Sequence, residues 1–159
     1  MDASASTQRQ RWMSVLAKAS VDAIESACKA LGALPATRWL RRPETGLVMV
    51  RGRAGGSGVK FNLGEVPITR CALRLDNGVG AVMGVAWVQG RDARHAELAA
   101  QLDALLQMPQ HHDQIHRHVI EPLAALQAAR HDLIARKAGA TKVEFYTLAR
   151  ETLTTGGGK

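Results

Sequence analysis

One hairpin constrains this chain more than any other feature. Residues 65–75 (EVPITRCALRL) alternate strictly, with Cys71, Leu73 and Leu75 on one face and Arg70, Ala72 and Arg74 on the other, the period of a half-buried strand. Asp76-Asn77-Gly78 follows, a strong turn signal, so this strand is expected to pair antiparallel with the next. The second arm, residues 81–88 (AVMGVAWV), has no charged residue and is apolar at odd and even positions alike. Such a strand needs cover on both faces. A small antiparallel sheet rarely supplies that cover from its own helices. The arm is therefore expected either to be a central strand between helical layers or to meet a partner chain. Trp87 reads both as a core residue and as a candidate interface anchor.

The arm runs straight into a helix. Gln89-Gly90-Arg91-Asp92 forms the junction, and beyond it Leu98, Leu102 and Leu105, with the small Ala96 and Ala99, recur at helical spacing up to Gln107. Asp92 fits an N-cap, accepting from the free amides of the first turn. A capped N-terminus has already used the donors that would attract phosphate. Arg91 must then bind an anion, or an acid on a neighbouring chain, through its side chain alone.

Around this centre the chain is predicted to be α+β: an antiparallel sheet of four to five strands, short N-terminal helices, and two longer C-terminal helices packed on it. Trp12, Val15, Leu16 and Ala19 share one helical face; Ser20 can cap a second helix with a stripe of Val21, Ile24, Cys28 and Leu31, ended by Gly32 and Pro35. Residues 37–42 and 45–53 read as strands separated by Pro43, and residues 59–63 as another. The intervening AGGSG run at 54–58 lacks the Lys-Ser or Lys-Thr pair and the following helix of a phosphate loop, and reads as a hairpin loop. After Met108-Pro109 a second long helix is expected from near Asp113. Its stripe of Ile115, Val119, Pro122, Leu126, Ala129 and Leu133 should pack antiparallel on the first helix, with a kink at Pro122 and an end at Gly139. Residues 142–150 (KVEFYTLAR) fit a short edge strand or a helical turn. The expected organisation is a disordered start at 1–6, a single α+β domain over 7–150, and a flexible tail at 151–159.

Charge narrows the chemistry. The net charge is +7, built from 15 arginines and six lysines, while only six residues are aromatic. Arginine's planar fork suits phosphate and carboxylate. Few aromatics leave little for stacking on bases, and no nucleic-acid reading motif is present. A nucleic-acid-binding module thus rests on charge alone. Cys28 and Cys71 have no CxxC spacing and read as buried reduced thiols; with no apolar run of membrane length and no signal-peptide core, the expected location is the cytoplasm. Five of six histidines lie between His111 and His131, and His112-Asp113-Gln114-Ile115-His116 approximates a zinc-protease helix with Asp in place of Glu. The shorter acid draws the general base back from a metal-bound water, and no third ligand is evident. A stand-alone metal hydrolase would rest on these two histidines; no metal site and no catalytic constellation are assigned.

Taken in order, TGLVMVRGRAGG at 45–56, FNLGEVPITRCALRL at 61–75, WVQGRD at 87–92 and HAELAAQLDALLQ at 95–107 resemble the G-subunit family (PhnG) of the bacterial carbon–phosphorus lyase system. RQRWMSVLAKA near the start and KVEFYTLAR near the end fit the same pattern, so the resemblance runs from about residue 10 to residue 150. It implies a subunit of a core complex in which the G, H and I subunits, with an ATP-binding-cassette-like L subunit, displace adenine from ATP with methylphosphonate. The product is ribose 1-methylphosphonate 5-triphosphate. The resemblance attributes the nucleosidase-like chemistry to the I subunit and later radical cleavage to the iron–sulfur J subunit. This chain is then expected to bind no cofactor of its own and to support the I subunit. Arg70 and Arg91 are the candidate contacts to substrate phosphates or to an acid of another subunit.

Overall fold

The strand–turn–strand–helix core of the sequence is the core of the structure. A computed structural model describes residues 3–32, 34–76 and 80–140. Strand β2 (Lys60–Asp76) lies at the centre of a three-stranded antiparallel sheet, flanked by β1 (Arg38–Arg53) and β3 (Ala81–Gln89). The β2–β3 ladder is regular from Ile68↔Gln89 to Asp76↔Ala81. The tip of that turn, residues 77–79, lies outside the described residues, as does the strand or helical turn expected at 142–150.

The count of four to five strands is therefore corrected to three among the described residues, because neighbouring short segments fuse. Pro43 does not divide β1, since it falls at a register irregularity between Arg41 and Glu44 on an edge strand, where a missing N–H breaks no ladder. Residues 59–63 and 65–75 likewise join in β2. The ladder steps from Val50↔Gly64 to Arg51↔Asn62, leaving Leu63 unopposed as a bulge.

One face of the sheet is covered by helix α3 (Ala93–Leu106), which packs on β3 and β2. Small residues let it approach closely. A Cβ at Gly84 would run into the carbonyl oxygen of Ala100 and stand 2.9 Å from the Cβ of Ala104, so glycine is required where helix and strand cross. Leu73, Leu75, Ala86 and Val88 meet Leu98, Leu102 and Leu106 in this layer, all of them buried. Burial of each of the leucines and of Val88 contributes about 1.5–3 kcal/mol.

Helices α1 (Ala3–Lys18) and α2 (Val21–Cys28) complete the core with the expected faces: Trp12, Leu16, Ile24 and Cys28 are buried, and Ser20 caps α2 by accepting from the Ala23 amide. Helix α1 begins ahead of Thr7, where the sequence placed its start. Asp103 ties α1, α3 and β3 together. Its carboxylate is fully buried and accepts from Arg9 Nε (3.1 Å) and Nη2 (2.7 Å), Trp12 Nε1 (2.9 Å) and the Val85 amide (3.0 Å). A buried carboxylate is tolerable only with partners of this number and quality.

The C-terminal helix departs from expectation. Helix α4 (Pro109–Ile115) starts earlier than Asp113, with Pro109 in its first turn, and passes through one π-helical turn (His116–Ile120) into α5 (Glu121–Ala140). The wide turn sits just before Pro122: the Glu121 amide bonds back to the His116 carbonyl, five residues away, and the helix absorbs its proline there. Helix α5 packs on α1 and α2 rather than antiparallel along α3, with Gln127 Nε2 donating to the Val15 carbonyl at 2.7 Å. Only Ile115, Val119, Ile120 and Leu123 are buried; Leu126, Leu133 and Ile134 are exposed, and Gly139 lies within the helix. No helix among the described residues is long and apolar enough to cross a membrane.

Candidate functional site

Among the described residues the face of the sheet opposite α3 is open. Alternation in β2 directs Arg70, Ala72 and Arg74 to it, and their β3 partners Trp87, Val85 and Met83 share it. Trp87 is 53% exposed, so it is not a core residue. Its indole instead lies under the Arg70 guanidinium, whose carbon is 5.3 Å from the ring centroid. Across the sheet in the other direction Glu44 of β1, which pairs with Arg70 in register, accepts from Arg70 Nε at 2.8 Å and from Arg41 Nη1 at 2.6 Å. The two guanidinium groups, Arg41 foremost and then Arg70, hold the Glu44 carboxyl below its ordinary range. A row of Trp87, Arg70, Glu44 and Arg41 thus spans all three strands. Exposed ion pairs of this sort contribute little to stability. Their effect is to hold Arg70 over the indole.

Arg74 lies on the same face, paired with Asp76 at 3.0 Å, and its buried Nε has no acceptor among the described residues. Arg91 is exposed in the turn between β3 and α3 and has no hydrogen bond or ion pair among the described residues. The structure therefore brings Arg70 and Trp87 into contact and leaves Arg91 apart from that pair. Of the two candidate arginines, Arg91 has the uncommitted side chain; Arg70 is shared between Glu44 and the Trp87 ring.

The junction beside Arg91 is rigid. Asp92 caps α3 as expected, accepting from the His95 amide at 2.9 Å. Gly90 takes φ 105°, donates to the Pro67 carbonyl at 2.8 Å, and accepts from Thr69 Oγ1 at 2.7 Å. Buried Thr69 in turn lies 2.9 Å from the Thr45 hydroxyl. Sequence reasoning missed Thr69, Glu44 and Asp103. Asp103 did leave a signal: it is the one acid within the apolar run Leu102–Leu106, and a charge there demands buried partners.

The histidine cluster is arranged for structure. His112 Nδ1–H donates to the Leu106 carbonyl at 2.6 Å, which leaves Nε2 to accept from Gln8 Nε2 at 3.1 Å, so both ring nitrogens are engaged. His116 stacks on it with centroids 5.9 Å apart and turns Nδ1 toward Glu121 at 3.2 Å. No three His, Cys, Asp or Glu side chains are grouped to hold a metal among the described residues. Cys28 and Cys71 are buried and free; the Cys71 thiol donates to the Ala96 carbonyl at 3.1 Å, and burial pushes it up to about 11. The glycine run closes a hairpin, with the Gly58 amide on the Ala54 carbonyl at 2.9 Å and Arg53 Nη1 on the Gly58 carbonyl at 3.0 Å.

Comparison with known proteins decides the family. The family described as phosphonate metabolism protein PhnG matches residues 7–151, every described element from within α1 through α5. The chain belongs to the PhnG family. Within it, the chain is 40% identical over 147 residues to the alpha-D-ribose 1-methylphosphonate 5-triphosphate synthase subunit PhnG of Rhizobium meliloti (strain 1021), covering 90% of this chain and 89% of that one. Coverage of this extent embraces the open sheet face, the Arg91 junction and the Asp103 centre together. The sequence-based resemblance and the family assignment coincide.

Proposed function

We propose that this PhnG-family chain is the G subunit of an alpha-D-ribose 1-methylphosphonate 5-triphosphate synthase, and that its own contribution is structural. The observation that carries this reading is the 40% identity running through nearly the full length of both chains. In this role it works in the cytoplasm as part of a hetero-oligomer with the I, H, J and ATP-binding-cassette-like L subunits. Adenine is displaced from ATP by methylphosphonate at a site built mainly by the I subunit. The chain itself holds no cofactor. Its open face supports the reading. Trp87 is an exposed aromatic held under an arginine, between the apolar Val85 and Met83 side of the face and a row of paired charges, the composition of an interface anchor. Arg91 supplies a free guanidinium for a substrate phosphate or for a carboxylate on the adjoining subunit.

Reconstitution tests this directly. Tagged chain co-expressed with the other subunits is expected to co-purify with them, and adenine release from ATP and methylphosphonate is expected to require it. Equal release without the chain, or a chain that elutes alone, would sink the proposal. Within it, Arg70→Ala combined with Arg91→Ala is expected to reduce either assembly or adenine release; a double variant normal in both removes these arginines from the site.

A further inference from the structure

Beyond the last β3 pair, Ile68↔Gln89, strands β1 and β2 continue with no third strand or helix of the described residues upon them. Residues 47–53 and 60–67 form a two-stranded arm; at roughly 3.3 Å per residue its seven β1 residues project about 20 Å from the body. An isolated two-stranded ribbon is marginal in water and ordinarily polar. This one is apolar on both faces. Val48 and Val50 lie on the open-face side, continuous with Trp87, while Leu47 and Met49 lie on the other, and all four are exposed. The bulge at Leu63 adds to the first group. A Cβ built at Gly52 would stand 2.6 Å from Leu63 Cδ1, so Leu63 lies over Gly52, and Phe61 is the register partner of Gly52. Phe61 and Leu63 thereby join Val48 and Val50 on one side, 47% and 62% exposed respectively. Without the extra residue, pleat alternation would have sent these two side chains to the opposite face.

Exposed apolar surface of this extent marks a binding surface. Because it covers both faces of a thin ribbon, the fitting receptor is a groove that encloses the arm. Charge selects the lining. Residues 47–67 carry three cations, Arg51, Arg53 and Lys60, against the single acid Glu65. A second copy of this chain would bring an equally basic arm alongside, whereas an acidic surface complements it. Nucleic acid would satisfy the cations and leave the aliphatic faces in water. We infer that the β1–β2 arm inserts into an apolar groove with an acidic rim on another protein subunit of the synthase. This inference rests on the subunit role proposed above and names the surface that fulfils it.

Co-purification of the tagged full chain with the co-expressed synthase subunits tests it, followed by titration of the isolated chain against the remaining complex. Val48→Glu with Phe61→Glu is expected to weaken association about tenfold or more, as loss of a central apolar anchor does. Arg51→Glu with Lys60→Glu is expected to weaken it too, with wild-type association falling as salt rises. Leu133→Glu on α5 changes an equally exposed leucine away from the arm and is expected to bind as wild type. An arm shortened by joining Arg51 to Asn62 through Asn-Gly gives the same readout without new charge on the strands, and circular dichroism of each variant checks the fold. Wild-type assembly with arm variants that bind equally well overturns the inference and leaves the subunit role standing. A wild-type chain that fails to assemble overturns both. An arm-dependent dimer of the isolated chain, or arm-dependent oligonucleotide binding with assembly unchanged, overturns the choice of occupant.

Discussion

The base and the arm of the β1–β2 hairpin are built from the same two strands, yet they solve the problem of apolar side chains in opposite ways. At the base, Cys71, Leu73 and Leu75 lie under α3, Gly84 lets that helix down onto β3, and Asp103 bolts α1 to both. In the arm, nothing among the described residues covers Leu47, Val50, Phe61 and Leu63. Alternation in sequence is similar in the two regions; what differs is whether a helix lies above. The base consequently governs whether the chain folds, and the arm governs what the folded chain can bind.

Substitutions test this contrast. The largest effect is expected at Asp103. Asp103→Ala leaves the Val85 amide, the Trp12 indole N–H and Arg9 without their shared acceptor, and should cost about 3–5 kcal/mol in urea unfolding. Wild-type stability in that variant would show the base is held by packing alone. Gly84→Ala comes next. Its methyl meets the Ala100 carbonyl and must push α3 away, an overpacking cost of about 1–3 kcal/mol that a thermal melt would register.

The third effect appears only at alkaline pH. The Cys71 thiol is pushed up to about 11 by burial first and by Glu97 second, against an ordinary value of 9.0. The unfolded chain then loses this proton before the folded one does. The contribution of the thiol is fully present below about 9 and declines as pH rises toward about 11. Denaturation midpoints of wild type and Cys71→Ala measured across that window should converge as the pH rises; parallel curves would count against it. The smallest stability effect belongs to the open face. Trp87→Ala is expected to change the stability of the isolated chain by no more than about 0.5 kcal/mol, while weakening co-purification with the other subunits. A large loss of stability would return Trp87 to the core.

Much of the fold was legible in residue periodicity. The strict alternation of residues 65–75, the caps at Ser20 and Asp92, and the buried faces of α1 and α2 depend on short-range rules, and each appears as expected. Continuity was harder to read. Pro43 looked like a boundary because proline cannot donate to a ladder, but on an edge strand at a register shift no donor was needed. The π turn before Pro122 was invisible for a related reason: a kink and a widened turn relieve the same clash, and nothing local chooses between them.

The candidate site divides along the same line. Sequence alone determined that Arg70 and Trp87 lie on adjacent strands, that Asp92 is a cap, and that the arm Ala81–Gln89 carries more apolar surface than one sheet face can bury. Which side α3 covers is set by packing between elements distant in sequence. That packing thereby decided that Trp87 is a surface residue beneath Arg70, that Asp103 is the buried junction, and that a bulge carries Phe61 and Leu63 to the face of Val48. The physical reason is that alternation specifies two faces without saying which is dry, and that choice is made by a helix distant in sequence, fitting closely only where Gly84 has no side chain.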